Sequence, residues 1–317
     1  MRQRWLLNLA LLVIILILGG VIFYTLETDK EPKTPTLTEL EADQVQQIYL
    51  ERYNDEPISL RKDSDGFWQM TTPLHLPANT FKIDRLLEIL TERDYQKLDL
   101  ASPNLADFSL EPPLASIKFD QFKIAFGGTS PMNDGKRYLL IDQHIYLLPD
   151  TVYYSIGSNA VKFVDMSPLG HKPKIQALKM PDYHFVLTEG TWTVTSTFTA
   201  DEIDTGQDAL NSLIENWERI SAFNVERYEE DENTAFQGDI EVTLVGQEQM
   251  LHVAILSTTP DLVLIRPDKG VRYEFSNTQV DRLLHLPTKA KETESTEEDL
   301  KKKAEDVEIE MKDKAEN

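Results

Sequence analysis

The sequence predicts an α+β protein: two tandem repeated modules, each a mainly antiparallel sheet with one packed helix, preceded by a single transmembrane helix. Three observations predict it. Short runs with an apolar residue at every second position, separated by Gly and Asp turns, recur from residue 45 to residue 287. A turn, a glycine and a tryptophan followed by alternation occur twice, as DSDGFWQMTTP at 63–73 and EGTWTVTST at 189–197, with Trp68 and Trp192 124 positions apart. Residues 5–24, WLLNLALLVIILILGGVIFY, hold one clearly polar side chain, Asn8.

That apolar run comes first in the chain. A helix of its length rises about 30 Å, the thickness of a hydrocarbon core. It is longer than the apolar region of a cleaved signal, no small-x-small site follows in Val21–Leu26, and no cysteine is present to carry a lipid. It therefore reads as an uncleaved signal anchor over residues 1–26. Arg2 and Arg4 precede it, whereas Lys30 and Lys33 beyond it are mixed with Glu27, Asp29 and Glu31. This bias puts the N-terminus in the cytoplasm and the bulk of the chain outside it. The expected localisation is the bacterial inner membrane, single-pass, with a periplasmic body and lipid contact through residues 5–24.

Residues 27–42 are charged, contain Pro32 and Pro35, and read as a stalk, with Thr36 and Glu39 spaced as a capping box. The first module, 43–166, opens with a strand over 46–50. A hairpin follows, from Ile58-Ser59-Leu60 through the turn at Gly66 to Phe67–Met70. Asn79-Thr80 can cap a helix over 81–98 whose apolar stripe is Phe81, Ile83, Leu86, Leu87, Ile89 and Leu90. Four strands come next, at 117–119, 122–126, 138–141 and 145–148, with Gly127-Gly128 in a loop, and then a short helix at 150–158. The second module, 167–287, repeats this order. Its strand is at 175–178, its hairpin at 184–195, its helix at 205–222, its four strands between 240 and 275, and its final helix at 278–286. Gly66 matches Gly190, Asp84 matches Asp208 and Leu86 matches Leu210, all at the offset of the tryptophans. A tryptophan on the second hairpin strand reads as core against the following helix, not as a ligand-stacking platform. The tail, 288–317, is dense in Lys and Glu. Its Leu300, Ala304, Val307 and Met311 fit a marginal amphipathic helix or a solvated segment.

The chemistry-bearing residues converge nowhere. The absence of cysteine removes disulfides, thiolate catalysis and thiolate zinc sites. A net charge of −22 argues against nucleic acid as a partner. The six histidines, His75, His144, His171, His184, His252 and His285, show no zinc-binding helix spacing and read as surface or packing residues, most of them without nearby carboxylate partners. Asp63–Gly66 has its glycine too early for a calcium loop. Ser59 and Lys62 have the spacing of an acylating pair, but on a strand they point to opposite faces. The sequence therefore offers no catalytic, cofactor-binding or metal-ligating residue, and no cofactor is expected.

The string formed by Ile58-Ser59-Leu60, Gly66-Phe67-Trp68, Pro73, the helix Ile83–Leu90, Leu110-Glu111-Pro112-Pro113, Phe126-Gly127-Gly128, Gly135-Lys136-Arg137-Tyr138 and Ile145-Tyr146-Leu147, behind an anchor, resembles the bacterial family known as domain of unknown function 4340. The likeness is fullest over 45–165 and extends over 170–287 as a second copy. The chain departs from the family where an aromatic-Gly-Leu is common, with Phe108-Ser109-Leu110 instead. The resemblance brings no catalytic residues. It implies an accessory role beside membrane transport systems.

The expected function is a membrane-anchored, non-enzymatic periplasmic binding or scaffolding protein. It would be an accessory subunit docked on another envelope or inner-membrane protein. Two other readings stand beside it. One is an envelope hydrolase using an acidic pair in a deep cleft, for instance on glycan. The other is small-ligand capture between the modules, around Met166, Pro168, Leu169 and Pro173.

Overall fold

A computed structural model describes residues 14–20, 35–132, 135–231 and 234–289. They divide into two compact units. The first runs up to His171 and includes Ala222–Glu230 and Pro267–Tyr273. The second comprises Lys172–Ser221, Asp231–Arg266 and the chain from Glu274 on.

The transmembrane part of the expected fold is corrected. Among the described residues no helix is long and apolar enough to cross a membrane. Of residues 5–24 only α1, residues 14–20, is described. The rest of that stretch, most of the stalk and the helix expected in the tail lie outside the described residues. The part of the stalk that is described is not helical. Thr38 Oγ1 accepts from the Leu40 amide, and the Leu37 amide donates to Glu92 O at 2.9 Å.

The first sheet has nine strands: β1 (Gln47–Arg52), β2 (Ile58–Lys62), β3 (Trp68–Thr72), β4 (Leu76–Pro77), β5 (Gln96–Lys97), β6 (Ala115–Phe119), β7 (Phe122–Thr129), β8 (Lys136–Ile141) and β9 (His144–Pro149). Their order is β4-β3-β2-β1-β6-β7-β8-β9-β5. Alternation sets the faces. Ile48 and Leu50 on β1 and Ile58 and Leu60 on β2 are buried, while the residues between them are more exposed. The buried face takes α2 (Thr80–Leu87), capped by the Asn79 side chain accepting from the Lys82 amide at 3.2 Å, through Ile83, Leu86 and Leu87. A 3-10 turn, Glu88–Thr91, adds Ile89 and Leu90. The helix thus ends where its apolar stripe ends, well short of 98. The Glu92 carboxylate takes the Arg93 and Asp94 amides, and the chain turns out to form β5 beside β9. A short α3 (Tyr153–Ile156) follows β9.

The opposite face of this sheet carries its own small core of Leu110, Ala125 and Ile145, with Leu98, Leu105, Phe108, Tyr138 and Leu140 packed on it. This explains the glycine pair, which lies inside β7 and not in a loop. A Cβ on Gly127 would stand 2.2 Å from Phe108 O and 2.9 Å from Leu110 Cγ, so only glycine admits the crossing chain. Ser109 closes the 3-10 turn Leu105–Phe108 with φ 55 and ψ 38, the left-handed conformation that a glycine favours there. Arg137 is buried beneath. It bonds Asp150 through Nε and Nη2, both at 2.8 Å, donates to Gly127 O, and lies over the Tyr153 ring.

The second sheet has eight strands: β10 (Ile175–Lys179), β11 (Tyr183–Thr188), β12 (Thr191–Ser196), β13 (Asn224–Arg227), β14 (Gly238–Leu244), β15 (Leu251–Ser257), β16 (Leu262–Arg266) and β17 (Val271–Phe275). Their order is β12-β11-β10-β14-β15-β16-β17-β13. It is the order of the first sheet without an equivalent of β4. Helix α4 (Gln207–Glu218) buries Ala209, Leu210, Leu213, Ile214 and Trp217. Helix α5 (Gln279–Leu284) follows β17, and the fully buried Trp217 donates through Nε1 to Leu283 O at 2.8 Å, tying the two helices together. β4, β5 and β13 were not predicted: at two to four residues they are too short to show a period.

Candidate functional site

Both tryptophans are core residues, 5% and 7% exposed, so neither offers a stacking platform. The turns before them are structural as well. Asp63 accepts from the Asp65 and Phe67 amides and from Gln69 Nε2. Partial burial works to raise its pKa, but the Gln69 bond and the two amide bonds outweigh it and hold the carboxyl below its usual value. Lys62 donates to Asp43 O and lies over Trp68, which leaves no role for it beside Ser59.

Two histidines do have carboxylate partners. His252 Nε2 meets Asp239 at 3.0 Å on the surface. His171 Nδ1 meets Asp165 at 2.9 Å, with the ring stacked 5.2 Å from that of Phe67. The Asp165 bond raises the His171 pKa against the opposing effect of burial. Among the described residues no three His, Asp or Glu side chains are grouped to hold a metal.

A concave feature with room for a molecule lies in the second unit, a cavity of about 980 Å³. Its apolar wall is Tyr183, Phe198, Ile203, Ala209, Leu213 and Leu286. Asp201, Glu202, Asp281, Arg282 and Lys289 supply charge around it, and His285 adds a polar ring. Three elements build it. Helix α4 turns Ala209, Ser212, Leu213 and Asn216 toward it. The segment Thr197–Thr205 forms one side, with Glu202 accepting from the amide and hydroxyl of Thr199 at 2.8 and 2.9 Å, bonds that hold its carboxyl below its usual pKa. The segment after α5 forms the other side. The two are joined by Asp204 N to Pro287 O at 2.7 Å, Lys289 N to Glu202 O at 3.1 Å, and an antiparallel bridge between Ile203 and Thr288.

The first unit shows why this space is open. It has the same kind of bridge, Ala78 with Val164, after its closing helix. The chain reaching that bridge from α3 includes the 3-10 turn Ala160–Phe163, with Ala160, Val161 and Phe163 buried. From α5 to Thr288 there is room only for His285, Leu286 and Pro287, and of these Leu286 is the buried apolar side chain. The shortened connection leaves unfilled volume beside α4.

Of these lining residues the sequence singled out His285, and only as a surface or packing histidine; it pointed to none of them as a ligand contact. The ligand site expected around Met166, Pro168, Leu169 and Pro173 is corrected: none of the four lines this cavity, and Pro168, Leu169 and Pro173 are packed. The hydrolase reading is corrected too. Among the described residues no three His, Asp or Glu side chains are grouped to hold a metal, and nothing else there supports hydrolysis. With no crossing helix among the described residues, the membrane-anchored, single-pass periplasmic subunit, its bilayer contact and its envelope or inner-membrane docking partner lose their basis.

No curated protein and no solved structure matches the chain. One family model does, the domain of unknown function DUF4340, over residues 68–237. The expected arrangement, one family copy in each module behind an anchor, is thereby corrected. The match is single, begins at β3 and ends just before β14. It spans more than half of the 317 residues, and on that extent the chain belongs to the DUF4340 family.

Proposed function

We propose that this protein is a binding module without catalytic activity, and that its working site is the cavity of the second unit. The observation that carries the reading is the cavity itself: about 980 Å³, apolar along α4 and charged around it. That size lies at the upper end of the ~300–1,000 Å³ typical of small-ligand sites. An apolar wall with charges around it suits an amphipathic ligand, whose apolar part leaves water while its polar groups keep partners. Glu202, held below its usual pKa by its bonds to Thr199, adds a fixed negative charge beside that wall.

The test uses the full chain and the amphipathic fluorophore 1-anilinonaphthalene-8-sulfonate. Saturable binding at one site, with a rise in Tm, is expected. Ala209→Phe, on the cavity wall, abolishes it while circular dichroism stays unchanged. Absence of saturable binding, or binding indifferent to Ala209→Phe, overturns the reading.

A further inference from the structure

The first sheet ends in a strand that the second sheet lacks. β4 lies along β3, with Met70 opposite Leu76 and Gln69 opposite Pro77, and the Ala78 amide donates to Trp68 O at 2.9 Å. Leu74, Leu76 and Ala78 are all buried. At the offset that superposes the tryptophans, Met70 corresponds to Val194 of β12. In the second sheet β12 is terminal.

Among the described residues its edge is open for a definite length. Thr188 and Thr191 flank a two-residue turn, Glu189-Gly190, with φ of 51 and 80. Such flanking residues bond to each other, so the N–H and C=O of Trp192, Val194 and Ser196 point away from β11. At Trp192 a side chain stands in for a strand: its amide donates to Gln207 Oε1 at 3.2 Å, and its carbonyl accepts from Gln207 Nε2 at 2.6 Å. This carboxamide confirms the direction of the edge and ends its open part. Val194 and Ser196 follow, and the chain then enters the cavity wall at Phe198 and at Tyr183, the cross-strand partner of Ser196.

We propose that β12 is a strand-addition site. A short extended peptide from another protein would pair with Val194 and Ser196 and place an apolar side chain in the cavity. This rests on the cavity being the binding site and names the class of its ligand. The first sheet gives the pattern, since β4 occupies the corresponding edge with two buried leucines beside it. Charge gives the flanks. Asp182 accepts from Thr197 Oγ1, and Asp201 and Glu202 follow in the segment after β12, in a chain of net charge −22. Basic residues of the peptide therefore belong at its β12 side. Main-chain pairing supplies affinity, and the apolar pocket supplies selectivity.

The probe is a synthetic peptide copying residues 72–78, Thr-Pro-Leu-His-Leu-Pro-Ala, with a lysine added at each end, titrated into the full chain and followed by amide NMR. Binding with shifts at the Val194 and Ser196 amides is expected. Methylation of the peptide nitrogen at the leucine that copies Leu76, which leaves every side chain in place, weakens binding by about tenfold or more. Val194→Pro does the same from the protein side. If the methylated peptide binds equally well, strand addition is overturned and side-chain capture in the cavity remains. If the peptide fails while the fluorophore still binds, only this inference falls. If neither binds, the cavity reading falls with it. If the chain sediments as a dimer that Val194→Pro dissociates, the edge belongs to a second copy of the chain and a foreign peptide is overturned as its occupant.

Discussion

The two sheets follow one strand order and finish it differently. Beyond Trp68 the first chain turns back at once, and β4 lays Leu76 against the core. Beyond Trp192 the chain continues outward through Thr197–Thr205, and the edge is held by one glutamine side chain. The far face of the first sheet is roofed by the turn at Leu105–Phe108. Its closing helix leads into a packed 3-10 turn, whereas α5 leads directly to its bridge and leaves a cavity. One scaffold therefore yields a closed unit and an open one. What separates them is the edge strand β4 and a few residues in the connections, not the order of the other strands.

The largest expected effect tests this difference directly. Leu76→Ala removes a side chain only 4% exposed, and such a cavity costs about 2–5 kcal/mol. Phe198→Ala, in the corresponding stretch after β12, removes a larger ring that is 41% exposed, and is expected to cost less than about 1 kcal/mol. Urea denaturation of the two variants compares them. Equal costs would mean that the second edge is as closed as the first.

Gly127→Ala comes next. The close approach of Phe108 O allows no Cβ without displacing the roof, for about 1–3 kcal/mol. Since the roof covers one face of the first sheet, protection from hydrogen exchange should fall in β7 and β8. An unchanged exchange pattern would show that the roof is not held by this contact.

The sheets were legible in the sequence because alternation over five or more residues is a strong signal, as in β1, β2 and β14. The cap at Asn79 was legible for the same local reason. The cavity was not, because it is made by what is missing. One trace of it can be read at the tryptophan offset, where Leu74, Leu76 and Ala78 become Phe198, Ala200 and Glu202. An edge strand's buried positions are there exchanged for exposed ones. The glycine pair misled for a different reason. Gly127-Gly128 has the composition of a loop, and its need for glycine comes from a chain crossing over it, a contact that no local pattern announces. For the apolar N-terminal run, no helix long and apolar enough to cross a membrane is found among the described residues, and most of the run lies outside them.

A smaller effect is expected at Gln207. Gln207→Ala removes both bonds to Trp192 but leaves the edge in water, for about 1 kcal/mol. The Trp192 amide should then exchange much faster, while the Trp68 carbonyl keeps its backbone partner Ala78. If Trp192 stays protected, something other than this carboxamide covers the edge.

The smallest effect separates the units by pH. In the first, the bond from His171 to Asp165 raises the histidine's pKa above its ordinary 6.5, so the charged ring is favoured in the folded state. The stabilisation is fully present below that value and is lost as pH rises through the higher folded value. His171→Gln should therefore lose its disadvantage to the wild type as pH rises above about 6.5. In the second unit the His252–Asp239 pair is exposed, 48% and 64% by side chain, and such a pair contributes little at any pH. His252→Gln should track the wild type throughout. Urea midpoints of the three proteins across this range decide the matter. Parallel curves for His171→Gln and the wild type would show that the buried ring stacked on Phe67 serves packing alone, and that the first unit is closed by contacts indifferent to protonation.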